Sequence, residues 1–179
     1  MNKIRITDAD STYFKICFEI YENSFPLFEQ RTLADQIAVL SNTDYYFEVI
    51  IGDKKEVLGL LMTWHTADFV YIEHFAISES IRGKNIGSRI LKDFMASTHK
   101  PMLLEIDPPV DDISNRRKEF YNRLGFVQND YKHIHPAYRK EQKPHTLVIL
   151  SKPEITPKLY EEFYSYLMNT IMVYSENKN

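Results

Sequence analysis

The feature that most constrains this chain is a change of hydrophobic period near residue 86. Upstream, residues 45–51, 57–64 and 69–77 read as three successive strands, with a turn at Gly52-Asp53-Lys54-Lys55 between the first two. Downstream, Ile86, Ile90, Leu91, Phe94 and Met95 recur at helical spacing, which predicts a helix over residues 86–98. Residues 102–106 then form a short buried strand, and residues 113–124 a helix ended by Gly125. Residues 126–131 and 146–150 read as two more strands. At the front, residues 4–6 are strand-like. Asp10 or Ser11 caps a helix to about Glu22 with Phe14, Cys17, Phe18 and Tyr21 on one face. A second helix is expected over residues 29–40, with Leu33, Ile37 and Leu40 inward. Thr156 as cap and Pro157 at the first helical position start a last helix carrying Leu159, Phe163, Leu167, Ile171 and Tyr174.

An antiparallel meander that feeds a strand–helix–strand crossover implies an α/β fold. The sheet is mixed, with about seven strands and helices on both faces, plus an extra C-terminal helix. One domain is expected over residues 1–150. Residues 151–179 supply the last helix, packing on the same domain or serving as a homodimer contact, and a frayed tail from Ser175.

Composition closes off other classes. The chain has 179 residues, and its 12 Tyr and 11 Phe are too many large apolar groups for a disordered protein. With 22 basic against 25 acidic residues, it lacks the positive charge of a dedicated nucleic-acid binder. No apolar run approaches the length of a membrane helix, and residues 1–8 have no signal-peptide core. The single Cys17 can form neither an internal disulfide nor a thiolate cluster, so a cytoplasmic protein with a buried structural thiol is expected.

The chemistry is concentrated in Arg82-Gly83-Lys84-Asn85-Ile86-Gly87-Ser88, between a strand and an amphipathic helix. A loop of this kind opens a helix N-terminus whose free N–H groups and dipole favour a phosphate, with Arg82 and Lys84 adding charge. It is not a P-loop, because the glycine spacing and the lysine are wrong, and it has no dinucleotide Gly-x-Gly-x-x-Gly triplet.

With Arg82 and Gly87 in place, the loop resembles the Arg/Gln-x-x-Gly-x-Gly/Ala loop of the GNAT N-acetyltransferase superfamily, and the resemblance extends over residues 4–150. Asn85 stands where the family usually has Gly; Asn tolerates the left-handed backbone that the turn requires. A second match is Phe120-Tyr121-Asn122-Arg123-Leu124-Gly125-Phe126. The resemblance implies that acetyl-CoA is bound, with residues 82–88 on its pyrophosphate, the main chain of Phe75 and Ile77 on the thioester and pantetheine, and Asn115 on the pantetheine arm. It implies Tyr121 as the general acid for the departing thiolate. Superfamily members use a carboxylate or His to deprotonate the amine; Glu73 and His74 are the candidates. Strand alternation sends them to opposite faces, and Glu73 is favoured. The implied acceptor is the amine of a small molecule or peptide. An acyl-CoA sensor without turnover is the alternative.

Three features stand beside these matches. Asp107, Asp111 and Asp112 follow the strand where an acceptor cleft would open, and would attract a cationic amine if they are not a solvated loop with a helix cap. His133 and His135 share one side of a strand without a clear third ligand, so no metal site is expected. With Tyr131, Tyr138 and Trp64, these two imidazoles would instead line an aromatic acceptor pocket.

Overall fold

The computed structural model describes residues 1–81, 83 and 85–177. Its strands are β1 (Asn2–Arg5), β2 (Tyr45–Ile51), β3 (Val57–His65), β4 (Val70–Ile77), β5 (Met102–Ile106), β6 (Val127–Gln128), β7 (His133–His135) and β8 (His145–Lys152). Its helices are α1 (Thr12–Ser24), α2 (Leu33–Val39), α3 (Ile86–Ala96), α4 (Asp112–Asn122) and α5 (Pro157–Tyr166). The sheet runs β1-β2-β3-β4-β5-β8-β6, with β7 added to β8. Every pairing is antiparallel except β4 with β5, which the α3 crossover joins in parallel. The architecture is the mixed α/β sheet expected from the periodicity, with eight strands.

Both faces are covered. On one, Phe14, Cys17 and Phe18 of α1 meet Phe47, Leu60 and Trp64 of the sheet. On the other, Ile90, Leu91 and Phe94 of α3 meet Ile72, Leu104 and Leu150. Cys17 is fully buried and its thiol is pushed up to about 12 by desolvation, so it is an inert packing group.

Three local readings are corrected. The second helix is shorter than residues 29–40: Leu27–Glu29 form a separate 3-10 turn, and Thr32 caps α2 through its hydroxyl, which accepts from the Asp35 amide. Leu33 and Ile37 point outward, while Gln36 is buried and donates to the Tyr45 hydroxyl at 2.9 Å. The strand expected over 126–131 breaks after Gln128. There the buried Asn129 side chain turns inward, donating to Ser151 Oγ at 2.7 Å and accepting from the Ile155 amide at 3.0 Å. The tail is held as far as residue 177: Ser175 is buried, and the Asn177 side chain donates to the carbonyls of Ala137 and Arg139.

The C-terminal helix forms where its cap predicted it, the Thr156 hydroxyl accepting from the Leu159 amide. A π turn (Leu167–Ile171) and a 3-10 turn (Met172–Tyr174) continue it. Phe163, Leu167 and Ile171 are fully buried in the same core as α1. No helix among the described residues is long and apolar enough to cross a membrane.

Candidate active site

The site begins where two paired strands part. β4 and β5 pair only over Val70–Ile72 and Met102–Leu104, although β4 continues to Ile77 and β5 to Ile106. The register of β4 on β3 shifts at the same place: Ile72 opposes Thr63 and His74 opposes Met62, leaving Glu73 as an extra residue. Such a bulge bends the strand and ends the ladder. It also cancels one step of side-chain alternation. Glu73 and His74 therefore turn to the same face, towards α1 and the segment after it, and not to opposite faces.

A cavity of about 460 Å³ opens between the parted strands. Four carboxylates line it, those of Glu29, Glu73, Glu105 and Asp107, together with the imidazoles of His74, His135 and His145. Phe120 and Tyr121 of α4 close one wall. A second cavity of about 290 Å³ adjoins it, sharing Phe75, Ile77 and Phe120.

Loop residues Gly83, Asn85, Ile86, Gly87 and Ser88 line this second cavity. Arg82 and Lys84 lie outside the described residues. Gly83 and Asn85 both have positive φ, at 83° and 57°, so the turn runs through two left-handed residues as Asn85 permits. Asn85 opens α3 without a side-chain capping bond, whereas Ser11, Thr32, Asp111 and Thr156 cap the other helices. A Cβ on Gly87 would sit 3.5 Å from Ile77, 3.6 Å from Phe75 and 3.7 Å from Phe120, projecting into the cradle those residues form. An uncapped helix N-terminus facing a space kept clear by glycine fits a phosphate followed by a slender apolar chain. Arg123, which also lines this cavity, is a cation that sequence spacing did not single out.

Tyr121 is half-buried on the wall of the larger cavity. Burial pushes its phenol up to about 12, and its hydroxyl has no hydrogen-bond partner among the described residues. It is a neutral phenol on the cavity wall. Asn115 stands apart from both cavities; its side chain is exposed and donates to the Asp111 carbonyl at 2.8 Å.

Glu73 has a structural task. Its carboxylate receives two bonds from Arg31, at 2.6 and 2.8 Å, and one from the Tyr138 hydroxyl at 2.6 Å. Arg31 is itself fully buried, with Nε donating to the Tyr174 carbonyl at 3.0 Å. Burial alone would raise the Glu73 carboxyl, but the Arg31 guanidinium overrides it and holds the group far below the usual carboxylate range. A carboxylate so acidic, with its oxygens already claimed, lacks the basicity and the free lone pair a proton acceptor needs.

The other expected pocket residues are redistributed. His133 donates through Nε2 to Glu105 and shares a 3.0 Å bond through Nδ1 with the Tyr160 hydroxyl, while the Tyr71 hydroxyl donates to the same carboxylate at 2.5 Å. His135 lines the cavity, with Nε2 3.7 Å from Glu105. Burial would raise the Glu105 carboxyl, but His135 and His133 together lower it to about 2. Tyr138 reaches the cavity, whereas Trp64 is sealed in the core and Tyr131 stacks on Tyr160 at 4.1 Å. Asp111 caps α4 through a reciprocal box with Ser114, and only Asp107 faces the cavity, paired with Arg117 at 2.7 Å. Among the described residues no group of three metal-binding side chains assembles.

Comparisons with known proteins agree with this architecture. Residues 43–128 match the family described as the acetyltransferase (GNAT) domain. A Bacteroides thetaiotaomicron protein described as a GNAT-family acetyltransferase superposes with a TM-score of 0.88 at 24% identity, covering 96% of this chain and 98% of that one. The Escherichia coli ribosomal-protein-S18-alanine N-acetyltransferase gives 0.58 at 13% identity over 84% and 91%. An aminoglycoside 6'-N-acetyltransferase complexed with coenzyme A gives 0.55 at 14% over 84% and 96%. No curated protein shows a significant sequence match. The match over residues 43–128, the parted strands and the uncapped α3 loop make the chain similar to the GNAT acetyltransferases in its central segment and in its fold.

Proposed function

We propose that the protein transfers acetyl directly from acetyl-CoA to the primary amine of a small molecule or peptide. The observation that carries this reading is the opening between β4 and β5. It joins the α3 loop on one side to a cavity lined by titratable groups on the other.

Residues 82–88 hold the pyrophosphate through backbone N–H groups at the α3 N-terminus, with Arg82, Lys84 and Arg123 supplying charge. Phe75 and Ile77 lie beyond Ile72, where β4 is no longer paired to β5, and their main chain is the proposed contact of the pantetheine amides and the thioester oxygen. Asn115 joins that arm once its side chain leaves the Asp111 carbonyl. Tyr121 gives its proton to the departing sulfur; thiolate leaves readily, so a weakly acidic phenol suffices. Transfer is direct because Cys17, buried and protonated, offers no thiolate to carry the acetyl group. Glu73 enters as the anchor of the bulge that parts the strands.

Calorimetric titration with acetyl-CoA, with ATP as the control, tests the reading. Saturable binding of acetyl-CoA alone is expected. A folded protein that binds neither, or both equally, would overturn it.

A further inference from the structure

The titratable groups of the larger cavity sort by which lone pairs are already used. Glu73 is held by Arg31 and Tyr138, Glu105 by His133 and Tyr71, and Asp107 by Arg117. His74 meets the Glu29 carbonyl through Nε2, and His135 meets the Pro136 carbonyl through Nδ1. Besides the Tyr121 phenol, two side chains remain without a hydrogen-bond partner among the described residues, the Glu29 carboxylate and the His145 ring. Both lie on the acceptor side of the opening.

We infer that Glu29 is the catalytic base, the carboxylate that receives the acceptor's ammonium and removes its proton. The inference rests on the transferase reading and assigns the role that Glu73 cannot fill.

The backbone beneath Glu29 is fixed from several directions. Its carbonyl accepts from His74 Nε2 at 3.0 Å and from the Tyr21 hydroxyl at 3.2 Å, and its amide donates to the Pro26 carbonyl at 2.9 Å. The next residue, Gln30, ties the same turn to the carbonyls of Phe25 and Glu22. A rigid main chain carrying an unclaimed side chain is what a positioned base requires. The groups facing it are Glu105 from β5, Asp107 just beyond that strand, Arg117 from α4, His74 from β4 and His145 from β8. Burial, with Asp107 next, raises its carboxyl to about 7 against the pull of Arg117, near the optimum for a base working at neutral pH. His145 competes less well, because burial lowers its affinity for a proton.

The protons balance. Glu29 takes one from the ammonium and releases it to solvent. The free amine's nitrogen bonds the acetyl carbon as the carbon–sulfur bond breaks, and Tyr121 protonates the sulfur. The second proton shed by the nitrogen restores the phenol, leaving amide, thiol and one proton in solution.

Two measurements on the coenzyme A-bound protein test the assignment. Carbon-13 NMR of labelled Glu carboxyls, with Glu29→Gln identifying the resonance, should give a midpoint near 7; a midpoint of 5 or below overturns the proposal. Thiol release from acetyl-CoA is then followed with 2-phenylethylamine, spermidine and a peptide N-terminus. With whichever amine is acetylated, Glu29→Gln should lower kcat/KM by about 10²-fold or more and abolish the rise in rate through pH 7, with acetyl-CoA affinity unchanged. A Glu29→Gln enzyme that keeps that rise, or a rise lost in His145→Gln instead, overturns it. Should none of the three amines be acetylated, the NMR midpoint decides alone. Loss of acetyl-CoA binding by the unaltered protein would instead sink the transferase reading itself.

Discussion

Glu29→Gln should make the protein more stable above neutral pH and leave it unchanged in acid. The carboxyl is raised from 4.5 to about 7, chiefly by burial. At about 1.4 kcal/mol per pKa unit, this corresponds to ~3 kcal/mol of preference for the protonated form in the folded state. The sign follows from linkage. Between the unfolded and folded pKa values the native state binds more protons, so stability falls as pH rises from 4.5 to 7 and stays low above it. Gln carries no proton to lose. An uncharged Gln matches the protonated carboxyl in acid, so the gap at pH 8 approaches the whole ~3 kcal/mol, or roughly 6–12 °C in Tm for a chain of this size. Thermal unfolding of both proteins at half-unit steps from pH 4 to 8.5 reads the difference directly. A gap that opens between pH 4.5 and 7.5 is expected. A gap constant across the range would refute the claim that Glu29 is a buried carboxyl at odds with its surroundings.

Other outcomes follow from the same geometry. Arg31→Met should cost about 3–5 kcal/mol in denaturant unfolding because Glu73 is left buried and unpaired, and adding Glu73→Leu should recover most of it; a double variant no better than the single would count against the pair. Tyr121→Phe should lower kcat by about 10²-fold with acetyl-CoA affinity intact, and equal turnover would show that the thiolate departs without the phenol. Gly87→Ala should fold normally, since its Cβ meets nothing closer than 3.5 Å, yet weaken acetyl-CoA binding by about tenfold as the methyl enters the cradle. Unchanged calorimetric affinity would remove Gly87 from the binding site.

Local signals in the sequence reached as far as single elements and the loop between them. The periods of residues 45–51 and 102–106, the Thr156-Pro157 start and the left-handed turn at Asn85 each depend on neighbours a few residues away. The acid–base groups depend on contacts across the fold. Sequence alone favours Glu73 as the base because its partner Arg31 lies 42 positions earlier, and no pattern in either segment links them. The bulge that turns Glu73 and His74 to one face is invisible to strict alternation. Glu29 sat at what read as a helix start, and only the 3-10 turn, the Gln30 bonds and the approach of Asp107 give it a distinct environment. His145 was the first residue of an ordinary strand, one position before the strand expected at 146.

The contact between Arg31 and Tyr174 sets the order in which the site can be completed. These residues are 143 positions apart, and the ion pair beneath the parted strands is enclosed only when the turn after α5 folds back over it. During synthesis, the loop, the meander and the crossover helix all leave the ribosome before the segment that seals the buried charges. Until then Arg31 and Glu73 share a water-exposed, high-dielectric setting in which their attraction is weak. The strand bend that depends on them therefore hardens late, so acetyl-CoA should gain a firm seat only after residue 174 has docked.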